Sequence, residues 1–338
     1  MLRALQALPG VEVRLMPPQT PRVRGLLGRM KRRWGKTPNL TRADLDDSGL
    51  DIILGLVASD LIARFGTSLH PPILHVTDAT PSFLRAFYPD PLPRDAEARE
   101  ARTFSIADCA VYSSAYMADR ARAEFDLPPG RVHVIPFGVN LEQLPATVSP
   151  KPPLAPLNLL FIGMDWTRKG GEVALAALDA LLAAGIAAHL TVIGCSPPSA
   201  RAHPAVDVLG YLDKNRPEQA ARLAAALAQA HLLVLPTRAD CTPMVVAEAN
   251  AHGCPVLITD VGGVSSLMAP GTNGQMLPQG ADGAAYAAAI RALTADPAAY
   301  ARLSAASFAH CHAHLTWGVW AQSMLKLMRG CIASRQGV

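Results

Sequence analysis

Two cations, Arg168 and Lys169, stand side by side where a buried strand gives way to a helix. In the segment LLFIGMDWTRKGGEVALAAL an apolar run ends at Gly163, and Arg168-Lys169-Gly170-Gly171 follows a short loop. Ligands bind at the carboxyl ends of strands in open α/β sheets, and a helix N-terminus beside two cations suits a diphosphate. The alternative is a pair of ordinary surface cations, but the helix dipole disfavours cations at this end of a helix. We therefore expect this pair to face phosphate.

A second polar loop follows another buried strand, in LLVLPTRADCTPMVVAEANAHGCPVLITDVGG. It holds Asp240 and Thr242, and a helix that begins near Pro243 would turn its first N–H groups towards phosphate or sugar oxygens. Glu248, eight residues after Asp240, can accept hydrogen bonds from a diol such as ribose. The alternative for Glu248 is a paired or surface glutamate. Its alanine neighbours suggest close packing, in which a carboxylate needs a partner.

Common catalytic signatures are absent from the sequence. It has no P-loop, zincin, serine-hydrolase or dinucleotide-binding motif. Asp44-Leu45-Asp46 imitates a metal-binding D-x-D motif, but in a polar connection aspartates are typical of a turn. His310 and His314 share a helix face, which is more typical of a solvated surface than of a metal site. We expect no bound metal.

Short apolar runs alternate with helical stretches, a pattern typical of βαβ units and a parallel sheet. Strands are predicted at 51–57, 72–78, 109–114 and 132–138, and then at 157–163, 189–194, 206–211, 231–236 and 255–260. Prolines within 150–156 separate the two sets. The prediction is an α/β protein with Rossmann-like domains at 1–149 and 150–315. A C-terminal helix at 316–338 is expected to pack back on the first domain.

The opening of the chain departs from a doubly wound domain, which begins with a strand and a glycine-bearing turn. Here a helix is predicted at 2–8 and a strand at 11–16. We expect the first strand and its glycine-rich loop to be absent. No signal peptide or membrane span is predicted.

Composition narrows the classes of protein. Of 338 residues, 50% are hydrophobic and 17% are charged, which excludes disorder, and the six cysteines form no C-x-x-C pair, which favours reduced thiols in the cytosol. The formal net charge is +4, and seven basic residues without an acidic one lie between 22 and 36. This basic segment is either a surface for anionic lipid, a polyanion or an acidic acceptor, or a solvated segment without a partner. No nucleic-acid motif accompanies it, so nucleic-acid binding ranks last.

At these residues the chain resembles a family-4 retaining glycosyltransferase of the GT-B fold, whose two Rossmann-like domains face each other across a cleft. The resemblance runs from about Asp51 to Pro278. It is carried by TDAT at 77–80, PFGVN at 136–140, GMDWTRKGG at 163–171 and PTRADCTPMVVAEANAHGCPV at 236–256. Asp240 and Glu248 keep the spacing of the family's Glu-x7-Glu motif, with Asp in place of the first Glu.

The resemblance implies roles for individual residues. Arg168 and Lys169 would bind the donor diphosphate and neutralise the leaving group. Glu248 would hold the ribose hydroxyls, and Asp240 the hydroxyls of the transferred sugar. Asp78 would lie on the acceptor side. The implied donor-binding set also includes Gly138, Asn140, Gly163, Thr242, Pro243 and Met244.

Three functions remain open. The leading hypothesis is a metal-independent hexosyltransferase that needs no cofactor and moves a sugar from a UDP- or GDP-sugar to a sugar, lipid or polysaccharide acceptor. It would act in the cytoplasm, on the inner face of the membrane if segment 22–36 meets anionic lipid. A non-catalytic GT-B scaffold and a GT-B sugar-nucleotide epimerase are the alternatives. The epimerase would need acid and base groups near the sugar, and Asp240 could serve as one of them.

Overall fold

The computed structural model describes residues 1–15, 49–63, 71–89, 92–148 and 150–336. The basic segment 22–36 and the Asp44-Leu45-Asp46 run lie outside these residues. The chain divides into two compact units, Met1–Ile135 with Trp320–Val338, and Pro136–Val319. The boundary between the two units, after Ile135, lies earlier than the expected domain boundary at 149, because residues 136–148 pack within the second unit. Val139 N–H donates to Leu315 O at 2.7 Å, and His312 Nε2 lies 3.0 Å from Pro145 O.

The first unit is built on a parallel sheet with the strand order β1-β2-β3-β4 among the described residues. The strands are β1 (Ile53–Leu56), β2 (Ile73–Thr77), β3 (Cys109–Tyr112) and β4 (Val132–Val134). The helices are α1 (Leu2–Gln6), α2 (Ser59–Ile62), α3 (Pro81–Phe87), α4 (Ala96–Ile106) and α5 (Ala115–Phe125). β2 and β3 are buried along their whole length, as expected for parallel strands covered on both faces.

The strand predicted at 11–16 is wrong over the part that the structure describes. Residues 11–15 have no regular secondary structure, and Leu15 is 72% exposed. A strand needs a neighbour to accept its backbone hydrogen bonds, and within the described residues β1 pairs with β2 alone. Alternating valines and charged residues therefore imitate a strand here without forming one.

The second unit holds a six-stranded parallel sheet with the order β10-β9-β8-β5-β6-β7. The strands are β5 (Leu157–Ile162), β6 (Ala188–Ile193), β7 (Val206–Gly210), β8 (Leu232–Leu235), β9 (Val256–Thr259) and β10 (Gly274–Leu277). β10 was not predicted, because its sequence GQML lacks an apolar run. The helices are α6 (Gly171–Ala183), α7 (Pro198–Ala202), α8 (Pro217–Gln229), α9 (Met244–Ala251), α10 (Gly283–Thr294), α11 (Pro297–His314) and α12 (Trp317–Gln336). Read from β7, the order is the 3-2-1-4-5-6 of a doubly wound sheet.

The last helix, α12, belongs to the first unit from Trp320 onwards. Arg335 Nε donates to Asp108 Oδ1 at 2.7 Å, and Cys331 Sγ lies 3.4 Å from Cys109 Sγ on β3. Trp320 is 1% exposed, so an aromatic side chain anchors this helix in the core. Over the described ranges, no helix combines the length and the hydropathy that a bilayer span requires.

Candidate functional site

The two loops singled out by their chemistry meet at one point of the second sheet. β5 pairs with β8, so the loops that follow these strands emerge at the same edge. Arg238 N–H donates to Arg168 O at 2.8 Å, and Arg168 Nη1 donates to Ala239 O at 2.8 Å. The strand order reverses between β5 and β8, and open α/β sheets bind ligands at the carboxyl ends of the strands at such a point.

Lys169 and Asp240 form an ion pair at this junction. Nζ of Lys169 contacts Oδ2 of Asp240, and the two side chains are 12% and 5% exposed. Gly263 N–H donates to Asp240 O at 2.9 Å and fixes the loop from the other side. Gly262 has φ +55°, and a Cβ there would lie 2.2 Å from Asp240 O, so this approach requires glycine. The charges of the pair compensate each other in a site largely removed from water.

The predicted cations lie in a turn before α6, and the amides of that turn are already engaged. Gly170 N–H donates to Thr167 O at 3.2 Å, and Gly171 N–H donates to Trp166 O at 2.8 Å. The Gly170 and Gly171 amides are therefore not free to bind a phosphate oxygen in this turn. On this side of the site, side chains rather than turn amides are positioned to meet an anion.

The helix that follows the second loop begins at Met244, next to the predicted start near Pro243. Thr242 and Pro243 are buried, and Val246 N–H donates to Pro243 O at 2.9 Å. The first N–H groups of a helix have no acceptor within it, and Pro243 has no N–H to contribute. The start of α9, with Met244 first, is thus the better backbone site for an anion.

Glu248 is 1% exposed, because α9 is covered on nearly every side. Lys214, in the loop after β7, pairs through Nζ with Glu248 Oε1 and donates to Asn140 O at 3.3 Å. Burial raises the pKa of Glu248, and the Lys214 charge opposes that rise. No residue of the described ranges forms a hydrogen bond with Glu248 Oε2. The partner that a buried Glu248 requires is therefore Lys214, which motif analysis missed. Its one sequence signal is a position just beyond the carboxyl end of β7.

The predicted glycines and Asn140 also lie in the second unit. Gly163 directly follows β5, and its N–H donates to Ile193 O at 2.9 Å. A Cβ at Gly138 would lie 2.2 Å from Trp317 N, so packing alone is enough to require glycine there. Asn140 is exposed, and its carbonyl is the acceptor for Lys214.

Asp78 lies in the first unit, directly after β2, and is half-buried. Near it, at the end of β3, Tyr112 is fully buried. Burial raises the pKa of Tyr112, and the carboxylates of Glu100, Glu124 and Asp78 raise it further. Tyr112 OH and Ser114 Oγ have no hydrogen-bond partner among the described residues. This edge of the first sheet therefore combines a carboxylate with buried hydroxyl groups.

Nowhere in the described part of the chain do three or more His, Cys, Asp and Glu side chains come together in a way that could hold a metal ion. Arg168, Lys169 and Lys214 each bring a positive charge to the site in the second unit.

Both halves of the chain match known families. Residues 3–143 match Glycosyltransferase Family 4, and residues 156–296 match Glycosyl transferases group 1. The chain belongs to glycosyltransferase family 4. Among family members, D-inositol 3-phosphate glycosyltransferase 1 of Catenulispora acidiphila is 32% identical over 258 residues, which are 71% of this chain and 61% of that protein. The chain thus spans less than two thirds of the length of this relative.

Solved structures show that this family member has the GT-B fold. Sucrose-phosphate synthase from Thermosynechococcus elongatus superposes with a TM-score of 0.64 at 22% identity, over 87% of this chain and 76% of that one. HepE of Anabaena, solved in complex with UDP, superposes with a TM-score of 0.63 at 14% identity, over 86% and 82% of the two chains.

Proposed function

We propose that this chain transfers a sugar, with retention of the anomeric configuration, from a nucleotide-diphosphate sugar to a glycan, lipid or small-molecule acceptor. The observation that carries the proposal is the Lys169–Asp240 pair at the reversal point of the second sheet. Sugar transfer develops positive charge on the anomeric carbon and negative charge on the departing diphosphate. A cation beside a carboxylate in a partly dehydrated site matches that charge distribution.

In this proposal the donor replaces contacts that the protein makes with itself. Lys169 exchanges the Asp240 carboxylate for the donor diphosphate, and Arg168 supplies a second cation. Asp240, released from Lys169, accepts hydrogen bonds from the sugar hydroxyls. The start of α9 at Met244 holds phosphate oxygens, and Glu248 accepts the ribose hydroxyls.

Two finer features belong to the same proposal. Because two side-chain cations and a helix start can neutralise the diphosphate, the reaction needs no divalent metal, and transfer is expected to continue in excess EDTA. The departing phosphate takes the acceptor proton on the front face of the sugar, so no protein nucleophile is required. Proton NMR of the product tests the retention that this route gives, and an inverted anomeric centre would contradict it.

The donor site is tested by nucleotide binding. We expect one of UDP, GDP and ADP, or its sugar conjugate, to bind saturably without metal in calorimetry and to raise the melting temperature. UDP is the first probe, since HepE was solved with it. Glu248→Gln should weaken binding about tenfold by removing a charged hydrogen-bond acceptor. Glu218→Gln, on the exposed start of α8, is the matched control and should bind as the wild type does.

The outcomes separate the proposal from its alternatives. A folded chain that binds none of the three nucleotides or their sugars contradicts the proposal. Nucleotide binding without turnover on any sugar conjugate supports a non-catalytic protein instead. Interconversion of two sugar nucleotides without transfer supports an epimerase.

The acceptor side is tested by Asp78→Asn. We expect the KM for the acceptor to rise about tenfold, since a charged hydrogen-bond acceptor is lost, while nucleotide affinity stays unchanged. Inositol 3-phosphate is the first acceptor to assay, because the 32% identical relative is named for it. Asp119→Asn, whose side chain is 73% exposed on α5, is the control. An unchanged KM for the acceptor in Asp78→Asn would show that Asp78 does not contribute to acceptor binding.

A further inference from the structure

Lys214 is held in a loop whose shape is fixed on both sides of it. The Asn215 N–H and side-chain amide donate to Asp213 Oδ1 at 3.0 and 2.9 Å. Asp213 N–H donates to Gln219 Oε1 at 2.6 Å. Both chain neighbours of Lys214 are thereby anchored, which restricts the directions open to its side chain.

The Lys214 ammonium group connects two residues of the proposed donor site. Its Nζ contacts Glu248 Oε1 and donates to Asn140 O at 3.3 Å. Lys214 is 35% exposed at its side chain, whereas Glu248 is 1% exposed. The lysine therefore reaches from the surface to a carboxylate that water barely touches.

The two oxygens of Glu248 are not equivalent. Oε1 accepts from Lys214, while Oε2 is buried without a hydrogen-bond partner in any part of the chain that the structure describes. A buried polar atom of this kind costs free energy unless something pairs with it. A carboxylate oxygen is an acceptor only, so its natural partner is a hydroxyl or N–H group of a ligand.

We propose that Lys214 is a positioning residue for the donor: it keeps the Glu248 carboxylate ionised and fixes Oε1, so that Oε2 accepts a ribose hydroxyl. The inference rests on the proposed function. A protonated Glu248 would carry a hydrogen that competes with the ribose hydroxyl, and an unanchored one would rotate between positions. Lys214 prevents both without touching the sugar or the phosphates.

The charged surroundings of Glu248 leave this task to Lys214. Directly after α9, burial and Lys151 lower the pKa of His252 to about 4, so that imidazole is neutral near pH 7. From α11, which packs on α9, Cys311 faces the Ala247 carbonyl, and burial raises its thiol pKa to about 12. β9, also against α9, carries no titratable side chain. Burial raises the pKa of Glu248, and Lys214 is the charged group that opposes that rise.

The binding test compares Lys214→Met with the wild type by calorimetry with UDP from pH 6 to pH 9. Without the lysine, Glu248 is expected to ionise at higher pH, so UDP affinity should be about tenfold weaker at pH 7 and recover as the pH rises. Lys214→Arg should restore most of the wild-type profile. Lys326→Met, an exposed lysine on α12, controls for the loss of one positive charge. Comparison at each pH cancels the titration of the UDP phosphate.

A second measurement needs no ligand. A carboxyl group whose pKa is raised by folding stabilises the protein at low pH, and that contribution is lost as the pH rises through the folded pKa. In Lys214→Met the melting temperature of the ligand-free protein should therefore fall more steeply between pH 5 and pH 8 than in the wild type. Lys214→Met/Glu248→Gln should remove the extra slope.

The binding and stability measurements together distinguish failure of the inference from failure of the proposed function. If the wild type binds no nucleotide, the proposed function fails. A steeper fall of melting temperature with pH in Lys214→Met would then show a structural role for Lys214 only, which overturns the inference. If the wild type binds UDP and Lys214→Met binds it with the same affinity and the same pH profile, the inference is wrong and the proposed function stands. A parallel loss at every pH in Lys214→Met and Lys214→Arg also contradicts it.

Discussion

Replacing Lys169 by methionine is expected to lower turnover of the nucleotide sugar by about 10²- to 10³-fold, the usual cost of removing one group that stabilises developing charge. The reason is that Lys169 lies 12% exposed beside Asp240 at the point where the two loops meet. Turnover is measured as release of nucleotide from the donor identified by the binding screen. Lys326→Met on α12 is the control and should keep wild-type turnover. A Lys169→Met enzyme within twofold of the wild type would exclude the proposed role.

Loss of Lys169 also has a structural cost that must be separated from the catalytic one. Without it, the Asp240 carboxylate, 5% exposed, is left charged without this partner. Breaking a buried pair by removing one member costs about 3–5 kcal/mol of folding free energy. Lys169→Met/Asp240→Asn removes both charges and should recover most of that stability. Its turnover, compared with that of Asp240→Asn alone, should remain lower by two orders of magnitude or more. Equal turnover in these two variants would show that Lys169 serves only to neutralise Asp240.

Much of the second unit could be predicted because its strands are apolar runs. Four of its six strands lie within the predicted ranges, and β6 begins one residue before its range. The sixth strand, β10, was not predicted because GQML carries no apolar run. The family resemblance supplied the GT-B fold, which the structural superpositions confirm. Apolar runs in the sequence predict where strands lie, but they do not predict which strands pair with each other in the sheet. The contact of Lys169 with Asp240 depends on β5 lying beside β8, which follows from the doubly wound order rather than from any local pattern.

What the sequence could not reveal lies in contacts between segments far apart in the chain. Glu248 was expected to need a partner, but nothing near it in sequence identified Lys214, which reaches it from the loop after β7. The failure at 11–16 has the same origin. Alternation predicts a strand, yet a strand exists only where another strand pairs with it, and residues 11–15 pair with no strand that the structure describes.

The turn that carries Lys169 depends on Gly170, and the chain provides a matched comparison for it at Gly185. Both glycines have left-handed backbone angles, with φ of +76° and +75°. A Cβ at Gly185 would meet nothing within 4 Å, whereas one at Gly170 would lie 1.8 Å from Pro236 O. That oxygen belongs to the backbone directly after β8, so it cannot rotate away as a side chain would.

Alanine at Gly185 should therefore cost only the left-handed conformation, about 1–2 kcal/mol. Alanine at Gly170 should cost this and about 3 kcal/mol or more in addition, because overpacking forces the loops after β5 and β8 apart. Urea denaturation of the two variants measures the difference directly. The same separation moves Lys169 from Asp240, so Gly170→Ala should weaken nucleotide binding while Gly185→Ala should not. If Gly170→Ala yields no folded protein while Gly185→Ala does, the order of the two costs is as expected. Equal urea midpoints for the two variants would show that the loops after β5 and β8 adjust easily to an added methyl group. In that case the close approach of these loops does not position Lys169.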